Sequence, residues 1–339
     1  MPDTDITGLA IRFNADDGYP LGGFLWRHDA NLANRSDTSR PLIVINAATS
    51  VRCRYYWRFA HYLHQQGADV LIYDYRGIGL SAPPSLRRFK AGWIDWGQRD
   101  FEAALHFGRQ QCPEQPIRVV GHSVGGVLIG LAPTSIYIDR IFTMGAQHAY
   151  WPDYLSSARL GMWVKWHLLM PFMTRAMGYF PGKRLGWLED TPAGVVRDWV
   201  TKEPRFIDTY RQPGASCHLD PATCDALQAR FTAVTAKTLA LSISDDPYGT
   251  TAAIERLLHN FPNSTKWHLR LTPQTIEATE IGHFAFFHKR FEANLWPIAS
   301  QWLLAEQLPD SSLGELTELG HTAMSLRHHI ARYTTEPEF

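Results

Sequence analysis

Long apolar runs are missing from this chain of 339 residues. No stretch reaches the roughly 18 consecutive apolar residues that a membrane-spanning helix requires, which excludes such a helix. An excess of one charge is missing too. The 33 basic and 33 acidic residues give a formal net charge of zero, so nothing draws nucleic acid or an anionic membrane surface to it. Cysteine is scarce. Cys53, Cys112, Cys217 and Cys224 form neither a disulfide framework nor a zinc pattern, and Cys217-His218 with Cys224 lacks a second cluster. No metal and no cofactor are expected. The opening residues Met1-Pro2-Asp3-Thr4-Asp5 lack the apolar segment of an export signal, and the expectation is a cytoplasmic protein with reduced thiols.

What is present is a regular alternation. Residues 6–27 read as an edge hairpin with a turn at Asp16-Asp17-Gly18. Leu42–Asn46, Val70–Tyr73, Ile117–Val120 and Asp139–Met144 are short apolar runs of strand length, the pattern of strands buried on both faces. Helical patterns separate them, over about Tyr55–Gln66 and Asp95–Gln110, with Asp95 and Asp100 expected as cap and surface charges. Strands alternating with helices imply a mainly parallel sheet.

The alternation stops between Gly145 and Lys237. That segment reads as helix and loop without a convincing strand, too long for one ordinary connection. Leu160, Trp163, Trp166 (or His167) and Met170 fall on one helical stripe, which either packs on the body or forms the underside of a lid over a site. A strand at Thr238–Ile243, a helix over Thr251–His259, a strand near Trp267–Leu271 and a helix over Arg290–Glu306 follow. Beyond it, Ser312 and Glu315 form a capping box, and Leu316, Leu319, Ala323, Leu326, Ile330 and Tyr333 recur at steps of three and four. A C-terminal helix is expected there, docked on the body or pairing two copies into a homodimer. The expected organisation is thus a core over 1–144, a mostly helical insertion over 145–237, the rest of the core over 238–307, and a helical extension over 308–339.

One stretch carries chemistry. Gly121-His122-Ser123-Val124-Gly125 fits G-x-S-x-G between a strand and a helix, the sharp turn that lifts a serine above a sheet edge. A serine hydroxyl is inert until a base takes its proton and an anion holds that base in the right tautomer. Asp246 (or Asp245) and His283 follow in the order Ser, Asp, His, each just past a predicted strand. The spacing H-x-x-x-x-D, found at His64/Asp69 and His148/Asp153, lacks the context of a functional motif.

Leu42–Asn46, Asp74–Ser81, Gly121–Gly125, Asp246-Pro247 and Gly282-His283-Phe284 together resemble the α/β-hydrolase superfamily, near the serine aminopeptidase and lysophospholipase-like enzymes. The likeness covers about residues 6–306. It implies an α/β-hydrolase fold with a lid, Ser123 as nucleophile, His283 as general base and then acid, and Asp246, at the family's Asp-Pro position, as orienting carboxylate. The Val124 N–H and one from the loop after Asn46, by position Ala48, would form the oxyanion hole. The family usually has His-Gly in that loop, whereas this chain has Asn46-Ala47-Ala48-Thr49-Ser50, so Thr49 or Ser50 could donate from a side chain instead. The activity so implied is hydrolysis of a hydrophobic carboxylic ester. Acyl transfer through the same acyl-enzyme, amide or peptide cleavage, and a non-catalytic binding role are the rivals.

Overall fold

In a computed structural model, residues 8–28, 40–200 and 203–320 are described. A nine-stranded sheet runs through the molecule. Its members are β1 (Leu9–Asn14), β2 (Pro20–Trp26), β3 (Leu42–Asn46), β4 (Asp69–Tyr73), β5 (Ile117–His122), β6 (Ile138–Met144), and three strands that follow the insertion. Within the insertion, β7 (Tyr179–Phe180) and β8 (Thr191–Pro192) pair antiparallel as a separate two-residue ladder, a small departure from the strandless segment expected. The sheet resumes with β9 (Lys237–Ile243), β10 (Lys266–Leu271) and β11 (Glu315–Leu319), in the spatial order β1-β2-β4-β3-β5-β6-β9-β10-β11. From β4 to β10 neighbours are parallel, while β2 joins β4 and β11 joins β10 antiparallel. Every residue of β3, β4 and β5 is buried, as the continuous apolar runs require of strands covered on both faces. No helix among the described residues is long and apolar enough to cross a membrane.

The C-terminal extension corrects the sequence reading. Instead of a helix starting at the Ser312/Glu315 capping box, Asp310 caps a short 3-10 turn over Ser311–Leu313, and Glu315–Leu319 continues the sheet. Leu316 and Leu319 would share a helix face, but in a strand they point to opposite faces of the sheet. Each finds an apolar cluster there: Leu316 packs on the main core and Leu319 on Ala240, Ile254 and Leu258. Pairing with the open edge of β10 outweighs the weak helical pattern. Ala323, Leu326, Ile330 and Tyr333 lie outside the described residues.

Two helical segments also depart from expectation, and each contains a π-helical turn. Asp100 is fully buried rather than a surface charge, and its carboxylate binds the Arg76 guanidinium at 2.7 Å. It lies in the wide turn Trp96–Phe101, where α-helical spacing counted from Asp95 no longer gives the right face. Asp95 does cap, accepting from Gly92 N–H at 2.9 Å. In the insertion, the turn Val164–Leu169 breaks the expected stripe. Trp166 and Met170 are buried as expected, but Leu160 is 76% exposed and Met162 is buried instead.

Candidate active site

Ser123 stands between β5 and the helix Val124–Leu128 with φ 54° and ψ −124°, a conformation that costs a non-glycine residue energy and persists only where its surroundings impose it. The imposition comes from two flanking glycines. A Cβ on Gly121 would lie 2.7 Å from the Gly126 Cα, and one on Gly125 would lie 2.3 Å from the Asn46 carbonyl oxygen. Asn46 fastens the neighbouring loop to this turn: its amide donates to the Gly125 carbonyl at 3.2 Å and its oxygen accepts from the Tyr73 hydroxyl at 2.8 Å.

The two aspartates that sequence reasoning left in competition have separate places. Asp246 Oδ2 meets His283 Nδ1 at 2.6 Å, and its Oδ1 accepts from Tyr248 N–H at 2.8 Å. Burial alone would raise the Asp246 pKa, but the His283 imidazole and the N–H groups of Gly249 and Tyr248 outweigh it and hold the pKa below the usual carboxylate value. Asp245 instead accepts from the N–H groups of Ile281 and Gly282, each at 2.9 Å. It ties down the loop that carries His283 without touching the imidazole by any hydrogen bond among the described residues.

His122, inside the motif, is an unanticipated part of the scaffold. Its Nε2 lies 2.8 Å from the His283 carbonyl oxygen, which only accepts, so Nε2 carries the proton. Nδ1 is then an acceptor, taking the Tyr56 hydroxyl proton at 2.7 Å, and the Tyr56 oxygen accepts the Ala48 N–H at 2.9 Å. Burial, then the nearby His283, push the His122 pKa down to about 3, so the ring stays neutral. Nothing in the sequence distinguished Tyr56 from an ordinary helix residue. One consequence concerns Ala48. Its N–H is engaged by Tyr56 in this arrangement, which corrects its expected availability to a ligand. The Ser50 hydroxyl is likewise taken, by Thr191 at 2.5 Å.

Ser123 and His283 line one cavity of about 160 Å³, with Ala48, Thr49, Tyr248 and Phe284 also in its walls. Asp246 sits behind His283, almost wholly buried. No hydrogen bond links the Ser123 hydroxyl to the imidazole among the described residues; such contacts commonly close only when substrate is bound. The insertion contributes Lys165, Trp166, Trp187, Leu188 and Trp199 to the lining. Trp166 stacks on Trp199 with centroids 4.8 Å apart.

Cys217, His218 and Cys224 form no group able to hold a metal among the described residues. The group that does come together there is His28, His64 and Asp69, with ligand atoms within 4.8 Å of one another. Existing bonds already employ it. His28 Nε2 meets the His64 carbonyl at 3.0 Å, His64 Nδ1 meets the Ala68 carbonyl at 2.9 Å, and Asp69 accepts from His28 N–H and Gln115. Asp153 is held by Arg256 through two contacts of 2.5 and 2.9 Å and does not pair with His148.

Comparison with known proteins bears on the family and the fold. A family model described as serine aminopeptidase, S33, matches residues 38–274. No curated protein sequence matches the chain. Among solved structures, a soluble variant of monoglyceride lipase from Saccharomyces cerevisiae, in complex with a substrate analog, superposes with a TM-score of 0.58 at 13% identity, covering 91% of this chain and 98% of that one. An esterase of Pyrococcus furiosus gives 0.51 at 13% identity, covering 89% and 94%. Mouse alpha/beta hydrolase domain-containing protein 10 gives 0.51 at 12% identity, covering 88% and 100%. At such identities the superpositions speak for the fold.

Proposed function

The chain belongs to the serine aminopeptidase S33 family of α/β hydrolases, and from that premise we propose that it is a serine hydrolase cleaving a carboxylic ester with a hydrophobic part. The observation that carries this reading is the Asp246–His283 bond behind a cavity that also exposes Ser123 on its strained turn. Esterase and lipase relatives of the same fold support the substrate class.

In this reading Asp246 accepts a hydrogen bond from His283 Nδ1–H, which keeps the proton on Nδ1 and leaves Nε2 as the base. As Ser123 Oγ bonds to the acyl carbon, its proton passes to Nε2, and the imidazolium then gives that proton to the departing alcohol. Water, deprotonated by the same nitrogen, then attacks the acyl carbon, and the imidazolium returns its proton to Ser123 Oγ as the acyl–oxygen bond breaks and the acid leaves. The oxyanion rests on the Val124 N–H, and the second donor is the Thr49 hydroxyl, because Ala48 is engaged by Tyr56. One such donor contributes about 3–4 kcal/mol to the transition state. The helical insertion acts as a lid whose tryptophans exclude water from the acyl group. Purified Ser123→Ala should lose nearly all p-nitrophenyl ester hydrolysis while keeping its circular dichroism spectrum. Retained turnover in that variant would remove the proposal.

A further inference from the structure

The part of the cavity lined by the insertion carries a charge that the proposed chemistry does not use. Lys165 lies among the lining residues, with its ammonium 3.9 Å from the Trp187 ring centroid and 4.8 Å from that of Trp166. Both indoles belong to the same wall. No carboxylate lies within ion-pairing distance of Lys165 among the described residues. Glu189, which follows Leu188 in the wall, is occupied by Arg52 at 2.8 Å and Lys183 at 3.0 Å. Among the described residues no acidic side chain lines the cavity, and the charge of Asp246 is directed at His283.

A cation held half-buried against aromatic faces is partly stripped of water, and burial accordingly draws its pKa below the ordinary lysine value. Cation–π contacts compensate some of that cost, but no acceptor for the ammonium's donors is found among the described residues. A purely hydrophobic substrate would worsen the mismatch, since it would replace the remaining water around the charge.

We propose that Lys165 forms a subsite for a carboxylate, so that the substrate is an ester bearing a carboxylate on the part of the molecule that reaches the insertion. The inference rests on the hydrolase reading above and narrows it. One ammonium balances one monoanion; a dianionic phosphate would leave surplus negative charge between indoles. Trp166 and Trp187 would contact the aliphatic stretch between carboxylate and ester, while Lys165 fixes its end.

The test pairs esters that differ only in charge: monomethyl succinate, glutarate and adipate against methyl butyrate, pentanoate and hexanoate. The readout is the ratio of kcat/KM, charged over neutral, at matched length. At the best length the wild type should favour the charged ester, through KM. Lys165→Met should lower that ratio about tenfold, the loss expected for one charge-assisted bond. Lys165→Arg should retain most of it, Lys165→Glu should depress it further, and added salt should narrow it. An unchanged ratio in Lys165→Met, or a wild type with no preference for charge at any length, would overturn the inference while leaving the hydrolase reading intact. If the wild type hydrolyses no member of either series and a fluorophosphonate fails to label Ser123, the hydrolase reading itself has failed.

Discussion

The sheet edge and the insertion both line one cavity, and they do so by different means. At the sheet edge, backbone meets backbone at close range: Gly121 against Gly126, Gly125 against Asn46. Polar groups there are paired in series, from Ala48 through Tyr56 and His122 to the His283 carbonyl. In the insertion, broad side chains make the contacts, two helical runs are joined by a π-helical turn, and Leu160, Leu168 and Phe172 stay largely exposed. In the proposed reaction the first region fixes Ser123 and His283 in place, whereas the broad apolar side chains of the second would meet the substrate. This is a division of labour between positioning and selection.

Substitutions that treat the two walls alike would break the comparison. The largest effect is expected within the sheet edge itself. Asp246→Asn should lower kcat for ester hydrolysis by about 10⁴-fold, because it reverses the histidine tautomer. Asp245→Asn should cost only about tenfold, by loosening the loop that holds His283. Steady-state kinetics on the two variants would contradict the assignment if their losses were equal.

Glycines sharpen the contrast in stability. Gly125→Ala, whose Cβ would meet the Asn46 carbonyl oxygen at 2.3 Å, should destabilise by about 3 kcal/mol or more, as overpacking a tight site does. Gly161→Ala, in the insertion helix Ser156–Trp163 with nothing within 4 Å, should instead stabilise by about 0.5–1 kcal/mol through helix propensity. Urea denaturation reads both. Within the insertion, Met170→Ala removes a fully buried side chain and should cost about 2–4 kcal/mol. Leu160→Ala should change stability by less than about 0.5 kcal/mol.

A further effect concerns pH. The folded-state pKa of His122 is depressed from 6.5 to about 3, by burial first and then by His283. Its neutral form therefore contributes stability above about pH 6.5, and that contribution is lost as pH falls towards 3. Between pH 7 and pH 5 the wild type should lose about 2 kcal/mol more than His122→Gln, measured by urea midpoints at the two pH values. Buried His148 and His268, depressed to about 3 and about 4, add to the acid sensitivity of both proteins and cancel in the difference.

The same two regions differ in how far they could be read from sequence. β3, β4, β5 and β9 were legible because strands buried on both faces leave unbroken apolar runs, and the turn at Ser123 because its glycines are sterically required. The insertion was not, since a π-helical turn changes the register between the helical residues before and after it without a compositional mark, so that Met162 rather than Leu160 shares the buried face with Trp166 and Met170. Asp100 was misplaced for the same reason. The extension over Glu315–Leu319 was misread because spacings of three and four fit a short strand with two apolar faces equally well. Tyr56, its bond to Ala48 and the exposure of Lys165 to the cavity depend on contacts between distant segments, which no local pattern encodes.

The central claim is that Asp246 and His283 make the hydroxyl of Ser123 reactive. Its most direct measurement is the rate of fluorophosphonate labelling, with the modified residue located by mass spectrometry. The wild type should be labelled at Ser123, and His283→Ala and Asp246→Asn should slow that reaction by orders of magnitude. Labelling at another residue, or at Ser123 with the same rate in all three proteins, would contradict it.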